Sequence, residues 1–556
     1  MISAVKYVRA TLQKTHAANV KPLLRPRLLL LYAILTGLLS LFGAWLIFYG
    51  TALSPWGGSD SVEYLVSARN MLRGIGIGYY SANGLFYWIS LHPPFYSIML
   101  GAVSLFGPDL IDAARWLNIV LFALIIGLTG LLFWRYSSSP ALAVLAGLLI
   151  MAFPEMLNMS NAAMSEPLFI FLCILEGLLL VPYFRSGRLR FLLLAALAVG
   201  LAAVARYIGI ALICAGTVSV FLFCRGKWGD RIKQSGLYFV LACLPLAAWF
   251  GWSYFGANHS VAGRTSLGLS GILGRLQPFR LRMVSTLWGW MPLQNKLANL
   301  PYREQLAFLI TLLLALAVLT FLAHRRSTHG TDSQENAGDW YILGIFGLFS
   351  LAYIGFLACT TAFTSLAPDI DDRMLLPLYV SNAIALLAAC SYWSRRWLAG
   401  RWGWLKIIPW LVAGLFLFQY VPESTALLTR QHVNQGLRAW ENTPIVNAVR
   451  ELPKDTPVIS TRPNILLLWA DRPAYPLIVD FSPAFLSQSG PYGSDPQDPL
   501  QKIFRENGAA LVDFNDLSPQ FIQKYGKDSA ARLDLLVKGL TIYRHMPDAT
   551  IYFYPK

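Results

Sequence analysis

The sequence predicts an all-α polytopic membrane bundle of about eleven transmembrane helices, followed by a C-terminal extracytoplasmic α/β domain. Three observations predict it. Of 556 residues, 56% are hydrophobic and 13% charged, roughly half the charged share of a soluble domain. Apolar runs of about 20 residues recur from Leu28 to Tyr420, each long enough to cross a hydrocarbon layer of roughly 30 Å. Beyond Pro422, Pro, Asp, Asn and Gln return at soluble frequencies.

The expected spans are 28–50, 113–134, 140–157, 167–184, 190–205, 207–224, 235–255, 304–323, 340–360, 374–394 and 403–421. Basic clusters fall on alternate connections: residues 1–27, Arg185 to Arg190, Arg225 to Lys233, Arg325 and Arg326, and Arg395 to Arg401. That alternation is the positive-inside pattern. It places the N-terminus in the cytoplasm and the tail, residues 422–556, outside. The formal charge of +16 is dispersed over these loops rather than gathered on one face, so nucleic acid is excluded as a partner. The run after Arg27 is too long for a signal-peptide core and is expected to be a retained first helix. All six cysteines lie in apolar stretches, which points to packing rather than disulfides or zinc.

Within the first external loop, 51–112, the segment Pro94 to Phe106 is apolar but too short to span. It is expected to be a re-entrant or interfacial helix. Gly74, Gly76 and Gly78 read as loop flexibility. A later external loop, 256–303, carries Arg264, Arg275, Arg280, Arg282, Lys296 and Arg303, suited either to anionic ligands or to lipid headgroups. In the tail, strand-like runs at Val458–Thr461, Ala510–Phe514 and Thr550–Tyr554 alternate with helix-like stretches near Thr443–Glu451, Pro499–Glu506 and Arg532–Lys538.

The chemistry-bearing residues lie where spans meet the outer surface. Asp60 opens a helix after the first span, where it serves either as an N-cap or as a functional carboxylate. Glu63 and Tyr64 follow on the same helix. Glu166 begins the fourth span, where it complements the helix dipole or joins Asp60 in one cavity. Arg206-Tyr207 interrupts an apolar stretch of about 34 residues, and Arg373 precedes the tenth span. Both arginines suit phosphate oxygens. His92, before two prolines, either contacts substrate or fixes a turn. Glu176, near mid-span, is costly unless paired, and a structural partner on another helix is favoured. No zinc-protease, Walker, dinucleotide or Ser-His-Asp pattern occurs.

Taken in order, these features resemble the GT-C superfamily of polytopic glycosyltransferases, closest to its bacterial protein-mannosyltransferase-like and aminoarabinose-transferase-like branch. They are Asp60 with Tyr64-x3-Ala68-x-Asn70-x3-Gly74, then His92-Pro93-Pro94 and Ala114-Arg115-x2-Asn118. Ser165-Glu166-Pro167, Arg206-Tyr207-x-Gly209 and Arg373-x3-Pro377 follow. The similarity covers roughly residues 28–394. It implies that Asp60 and Glu166 are catalytic carboxylates, with Arg206, Tyr207, Arg373, His92, Tyr64 and Glu63 binding substrate and lipid phosphate. It also implies a plasma (inner) membrane of bacterial type, a polyprenyl-phosphate sugar donor, a glycan, lipid or protein acceptor, and a tail that helps present the acceptor among membrane lipids. Ser59-Asp60-Ser61 stands where an acidic pair occurs in relatives, and a lone Glu166 where oligosaccharyltransferases carry an Asp-x-Asp metal site. No cofactor is required, and a divalent metal is not favoured. One general base with a phosphate leaving group predicts inversion at the anomeric carbon. The competing readings are a transporter or lipid-linked-glycan flippase, and a glycan-binding protein without catalysis.

Overall fold

The computed structural model describes residues 26–257 (except 83, 138 and 140), 271–291, 301–306, 337–364, 370–397, 407–477, 509–514, 522, 526–537 and 540–553. The membrane part comprises α1 (Pro26–Gly50), α2 (Ser59–Leu72), strands β1 (Gly78–Tyr80) and β2 (Phe86–Trp88), α3 (Phe95–Ser104), α4 (Leu110–Tyr136), α5 (Ala141–Ala152), α6 (Pro154–Ser160), α7 (Glu166–Ser186), α8 (Leu189–Ala205), α9 (Gly209–Phe223), α10 (Trp228–Trp252), α11 (Ile272–Gly289), α12 (Ala337–Phe363), α13 (Asp372–Trp397) and α14 (Ile408–His432). Among the described residues, seven helices are long and apolar enough to cross a membrane, or eight if the bent pair α5–α6 counts as one span. α8 and α9 occupy two further expected spans as shorter apolar helices. The expected span 304–323 lies largely outside the described residues. The chain is an integral membrane protein. α1 turns Leu30, Leu41, Phe42 and Trp45 outward, a surface that only lipid or a neighbouring helix covers.

Local chemistry sets the helix ends. Asp109 caps α4, its carboxylate accepting from the Ile111 and Asp112 amides at 2.9 Å, the usual way of satisfying first-turn donors. Phe153 precedes Pro154 and is held extended (φ −71°, ψ 119°), because a proline disfavours helical backbone before it. The result is the 68° bend between α5 and α6. α8 stops at Arg206, which is extended (φ −150°, ψ 132°). Three residues later, Gly209 lets α9 start with its backbone against Ala202 and Ala203, which a Cβ would strike.

Two expectations need correction. The glycines after α2 are not simply flexible. Gly76 (φ +136°) lies where a Cβ would come 2.5 Å from the Trp88 ring, and a Cβ on Gly78 would strike the Tyr87 carbonyl. Gly78 pairs with Trp88 in the antiparallel hairpin, so these glycines permit close approach. The last apolar helix also does not end at 421. Pro422 lies inside α14, which continues to His432. A proline interrupts only one helical donor, and Ser424 hydroxyl donates 2.7 Å to the Ala152 carbonyl, tying the extension to α5.

The tail folds around a five-stranded sheet ordered β4-β3-β5-β7-β6. Its strands are β3 (Val458–Ser460), β4 (Tyr475–Pro476), β5 (Ala510–Phe514), β6 (Thr541–His545) and β7 (Ala549–Phe553), with helices α15 (Pro444–Glu451) and α16 (Ser529–Val537). β3 runs parallel to β4 and β5, while β7 is antiparallel to β5 and β6. Ile445, Val446 and Val449 of α15 pack with Val458, Val512 and Ile551. All three expected strands fall within one or two residues of their places. The expected helix 499–506 lies outside the described residues.

Midway along α7, Glu176 is buried and accepts a 2.6 Å hydrogen bond from the Tyr238 hydroxyl on α10. Removing one partner of a buried pair leaves the other unsatisfied, at about 1–3 kcal/mol, whereas removing both is nearly neutral. Tyr238→Phe should therefore lower the thermal unfolding temperature in detergent more than the Glu176→Leu/Tyr238→Phe double variant does.

Candidate active site

An isolated parallel bridge between Trp56 and Ala162 aligns the two acid-bearing segments. Trp56 N–H donates to the Asn161 carbonyl at 3.1 Å, and Ala163 N–H donates to the Trp56 carbonyl at 2.9 Å. Trp56 Nε1 reaches the Asn158 carbonyl at 3.0 Å, and the Asn118 amide from α4 donates to the Ala162 carbonyl. Each strand of the bridge then turns into a helix. Asp60 and Glu166 lie the same four positions beyond Trp56 and Ala162.

Asp60 does not cap its helix. Gly58 occupies the cap, with Ser61 Oγ accepting from its amide at 3.2 Å. The Asp60 carboxylate turns instead to Arg373, whose Nη2 donates to its Oδ2. Arg373 Nε donates to Glu166 Oε1 at 2.6 Å, and Arg206 pairs with that same oxygen. One arginine thus bridges both carboxylates, and Glu166, without exposed surface, lies between two guanidiniums. Ser165 hydroxyl stands 3.1 Å from the Tyr64 hydroxyl and accepts from Arg206 at 3.3 Å.

Facing this cluster is a cavity of about 270 Å³ lined by Asp60, Tyr64, Leu91, His92, Pro93, Arg206, Tyr207, Ile208, Phe356, Leu357, Thr360, Asp371, Arg373 and Met374. Six of the eight residues singled out from sequence line it. Glu166 lies behind the arginines, and Glu63 stands off the wall, 3.6 Å from His92 Nε2; Asp60 Oδ1 is 3.7 Å from the same nitrogen. Tyr207 hydroxyl is engaged, donating 2.7 Å to the Ser90 carbonyl and accepting from Trp249 Nε1 at 3.1 Å. Phe356, Leu357 and Thr360 of α12 were not anticipated, because an apolar span gives no sign of which face meets a cavity. Asp371 accepts from the Met374 amide at 2.7 Å, so it caps α13 while lining the wall. Arg275, Arg280 and Arg282 lie on α11 and do not line the cavity. Arg264 and Lys296 lie outside the described residues.

Burial pushes the Asp60 carboxyl up, but His92, Arg373 and Arg206 outweigh it and hold it down at about 2. Burial and the two arginines also push His92 down, with Asp60 opposing them. The imidazole is therefore neutral near pH 7, and Arg373 is the cation that keeps Asp60 ionised there. Burial, then Asp60, pushes Glu63 up to about 8. Two guanidiniums thus balance two carboxylates, while Glu63 holds its proton. Among the described residues, no group of three or more His, Cys, Asp or Glu side chains could hold a metal ion.

No protein-family model matches this chain, and no curated protein matches it in sequence. Solved structures do. The oligosaccharyltransferase of Archaeoglobus fulgidus, tethered to an acceptor peptide, is 12% identical over 96% of this chain and 74% of its own, with a TM-score of 0.50. ArnT from Cupriavidus metallidurans in the apo state is 14% identical over 93% of this chain and 97% of its own, with a TM-score of 0.43. Arabinofuranosyltransferase AftD from Mycobacteria is 15% identical over 96% of this chain and 42% of its own, with a TM-score of 0.48.

The raised Glu63 pKa carries a sign. Unfolded chains release this proton above about pH 4.5, whereas the folded chain holds it to about 8, so stability falls as pH rises between those values. Glu63→Gln should remove that loss: its melting temperature relative to wild type should increase from pH 5 to pH 8 in thermal unfolding experiments.

Proposed function

Starting from a chain with the GT-C fold, we propose that it is a membrane glycosyltransferase. It moves a sugar from a polyprenyl-phosphate donor to an acceptor hydroxyl on the extracytoplasmic side. The observation that carries this reading is the meeting of Asp60, Arg206 and Arg373 on one cavity wall. A carboxylate that can take a proton and two guanidiniums that can take a phosphate converge on one space, at the outer ends of their helices in the expected topology. Pumps and flippases also place charge within bundles, but they have no need of a base beside a phosphate cradle.

The chemistry follows from charge. The acceptor oxygen attacks the anomeric carbon as its O–H proton passes to Asp60. The bond from that carbon to the phosphate oxygen breaks, and the lipid phosphate leaves as an anion without needing an acid. Guanidiniums placed where that negative charge develops lower the barrier. Displacement from the opposite face inverts the anomeric centre.

Arg373 links binding to chemistry. A carboxylate paired with a guanidinium is a weak base. When phosphate oxygens compete for the fork, Asp60 loses its strongest cationic partner and gains basicity. Glu166, tied to both arginines and away from the cavity wall, acts in this reading by holding them in place rather than by touching sugar. The two arginines supply the positive charge, and a divalent metal has no part in the proposal. The outward-facing tail helps present the acceptor.

Asp60→Asn should lower sugar transfer from lipid-linked donors by about 10²- to 10⁴-fold, the usual worth of a general base, while expression and decaprenyl phosphate binding persist. Transfer unaffected by that change would reject the proposal. Arg206→Gln and Arg373→Gln should weaken decaprenyl phosphate binding in a nanodisc titration. Arg373→Gln should also move the acid limb of the pH–rate profile upward, toward the ordinary carboxylate range.

A further inference from the structure

α2 carries Asp60, Glu63 and Tyr64 on the face toward the cavity. Arg69 lies nine residues after Asp60, about half a turn away at 3.6 residues per turn, and Arg73 lies one turn beyond Arg69. Both project from the opposite face onto the C-terminal domain. Arg69 donates to the Leu468 and Leu467 carbonyls at 2.8 and 3.0 Å and to Asp471 at 2.8 Å, while Arg73 donates to Asp471 at 2.9 Å. Asp471 is in the left-handed region (φ +51°), the sharp stop that ends the turn Leu466–Ala470 and leaves its carbonyls open to Arg69.

The other end of α2 is gripped as well. Leu437 N–H donates to the Pro55 carbonyl at 3.0 Å. Gly436 (φ +54°) permits that approach, since a Cβ there would come 2.5 Å from the same oxygen. Trp469 Nε1 donates to the Leu437 carbonyl at 2.9 Å, joining the two grips. The bridge at Trp56 fixes where α2 begins, and Tyr64 hydroxyl, 3.1 Å from Ser165 hydroxyl, and Asn70, donating 2.8 Å to the Gly78 carbonyl, hold it along its length; Arg69 and Arg73 add the hold on the face away from the cavity. A 20° roll moves a carboxylate about 5 Å from that axis by roughly 2 Å, and misplacement by about 1 Å can cost 10²-fold in rate.

We propose that the C-terminal domain is a positioning clamp on α2, in which Asp471, through Arg69 and Arg73, holds Asp60 in register with the cavity and so governs the chemical step. The proposal rests on the assignment of Asp60 as base. Asp471 is a positioning residue: it touches neither the cavity nor its lining.

The test uses the full chain in nanodiscs, with Asp471→Asn and the conservative Asp471→Glu. Amide hydrogen exchange over residues 59–65 should quicken in Asp471→Asn by at least roughly tenfold, with α8 unchanged. With lipid-linked sugars extracted from bacterial membranes, kcat should fall at least about tenfold while the acceptor KM stays within about twofold. Asp471→Glu should restore most of both. Unchanged exchange over 59–65 would overturn the clamp, as would a raised KM at unchanged kcat, which would leave the domain a role in acceptor capture alone. If α2 loosens but transfer ignores Asp60→Asn, the base assignment falls and the mechanical clamp stands.

Discussion

The fully buried carboxylate of Glu166 is the constraint around which one end of the bundle is organised. An ion without solvent is tolerated only when opposite charge and hydrogen bonds surround it. Here the compensation comes from two distant parts of the chain, Arg206 between α8 and α9 and Arg373 at the start of α13. Satisfying one buried oxygen therefore brings α7, the α8–α9 break and α13 together. Arg373 has a second arm, and that arm reaches Asp60 on α2. The cavity is the space left beside this four-charge cluster.

The same arrangement explains why the cluster is both rigid and responsive. Glu166 is shared, so losing either arginine would leave it undercompensated. Asp60, by contrast, is partly exposed and depends chiefly on Arg373, so its hold on the cluster is the easiest to exchange for an incoming anion. Neutral His92 and protonated Glu63 add no net charge nearby. The four-charge cluster itself then sums to zero, with the Asp371 carboxylate beside it on the cavity wall, and in the proposed reaction a phosphate competes with Asp60 for a cation already in place.

Much of this was legible in the sequence, for identifiable reasons. Long apolar runs have one physical use, so α1, α4, α7, α10, α12 and α13 could be placed closely. Charged residues at the boundaries of such runs are functional candidates by default, which is why Asp60, Glu166, Arg206 and Arg373 stood out. The pairing itself was not legible: which arginine takes which carboxylate depends on helix packing across more than 300 residues of chain. Phe356, Leu357 and Thr360 were hidden because a lipid-facing and a cavity-facing side of an apolar helix read alike. The continuation of α14 past Pro422 was missed because polar composition changes at the membrane surface, whereas a helix ends where its hydrogen bonding does. Gly76 and Gly78 were read as flexible because the Trp88 and Tyr87 atoms that demand them lie across a hairpin.

The pairing of Trp56 with Ala162 turns the distance between two acidic groups into a matter of counting. Each lies an equal number of residues past the bridge, so the backbone works as a ruler with matched arms. Lengthening or shortening either arm by one residue would swing its acidic side chain about 100° around the new helix. These two short stretches thus have little freedom to change their length, and relatives that keep the pairing should differ here by replacement rather than by insertion.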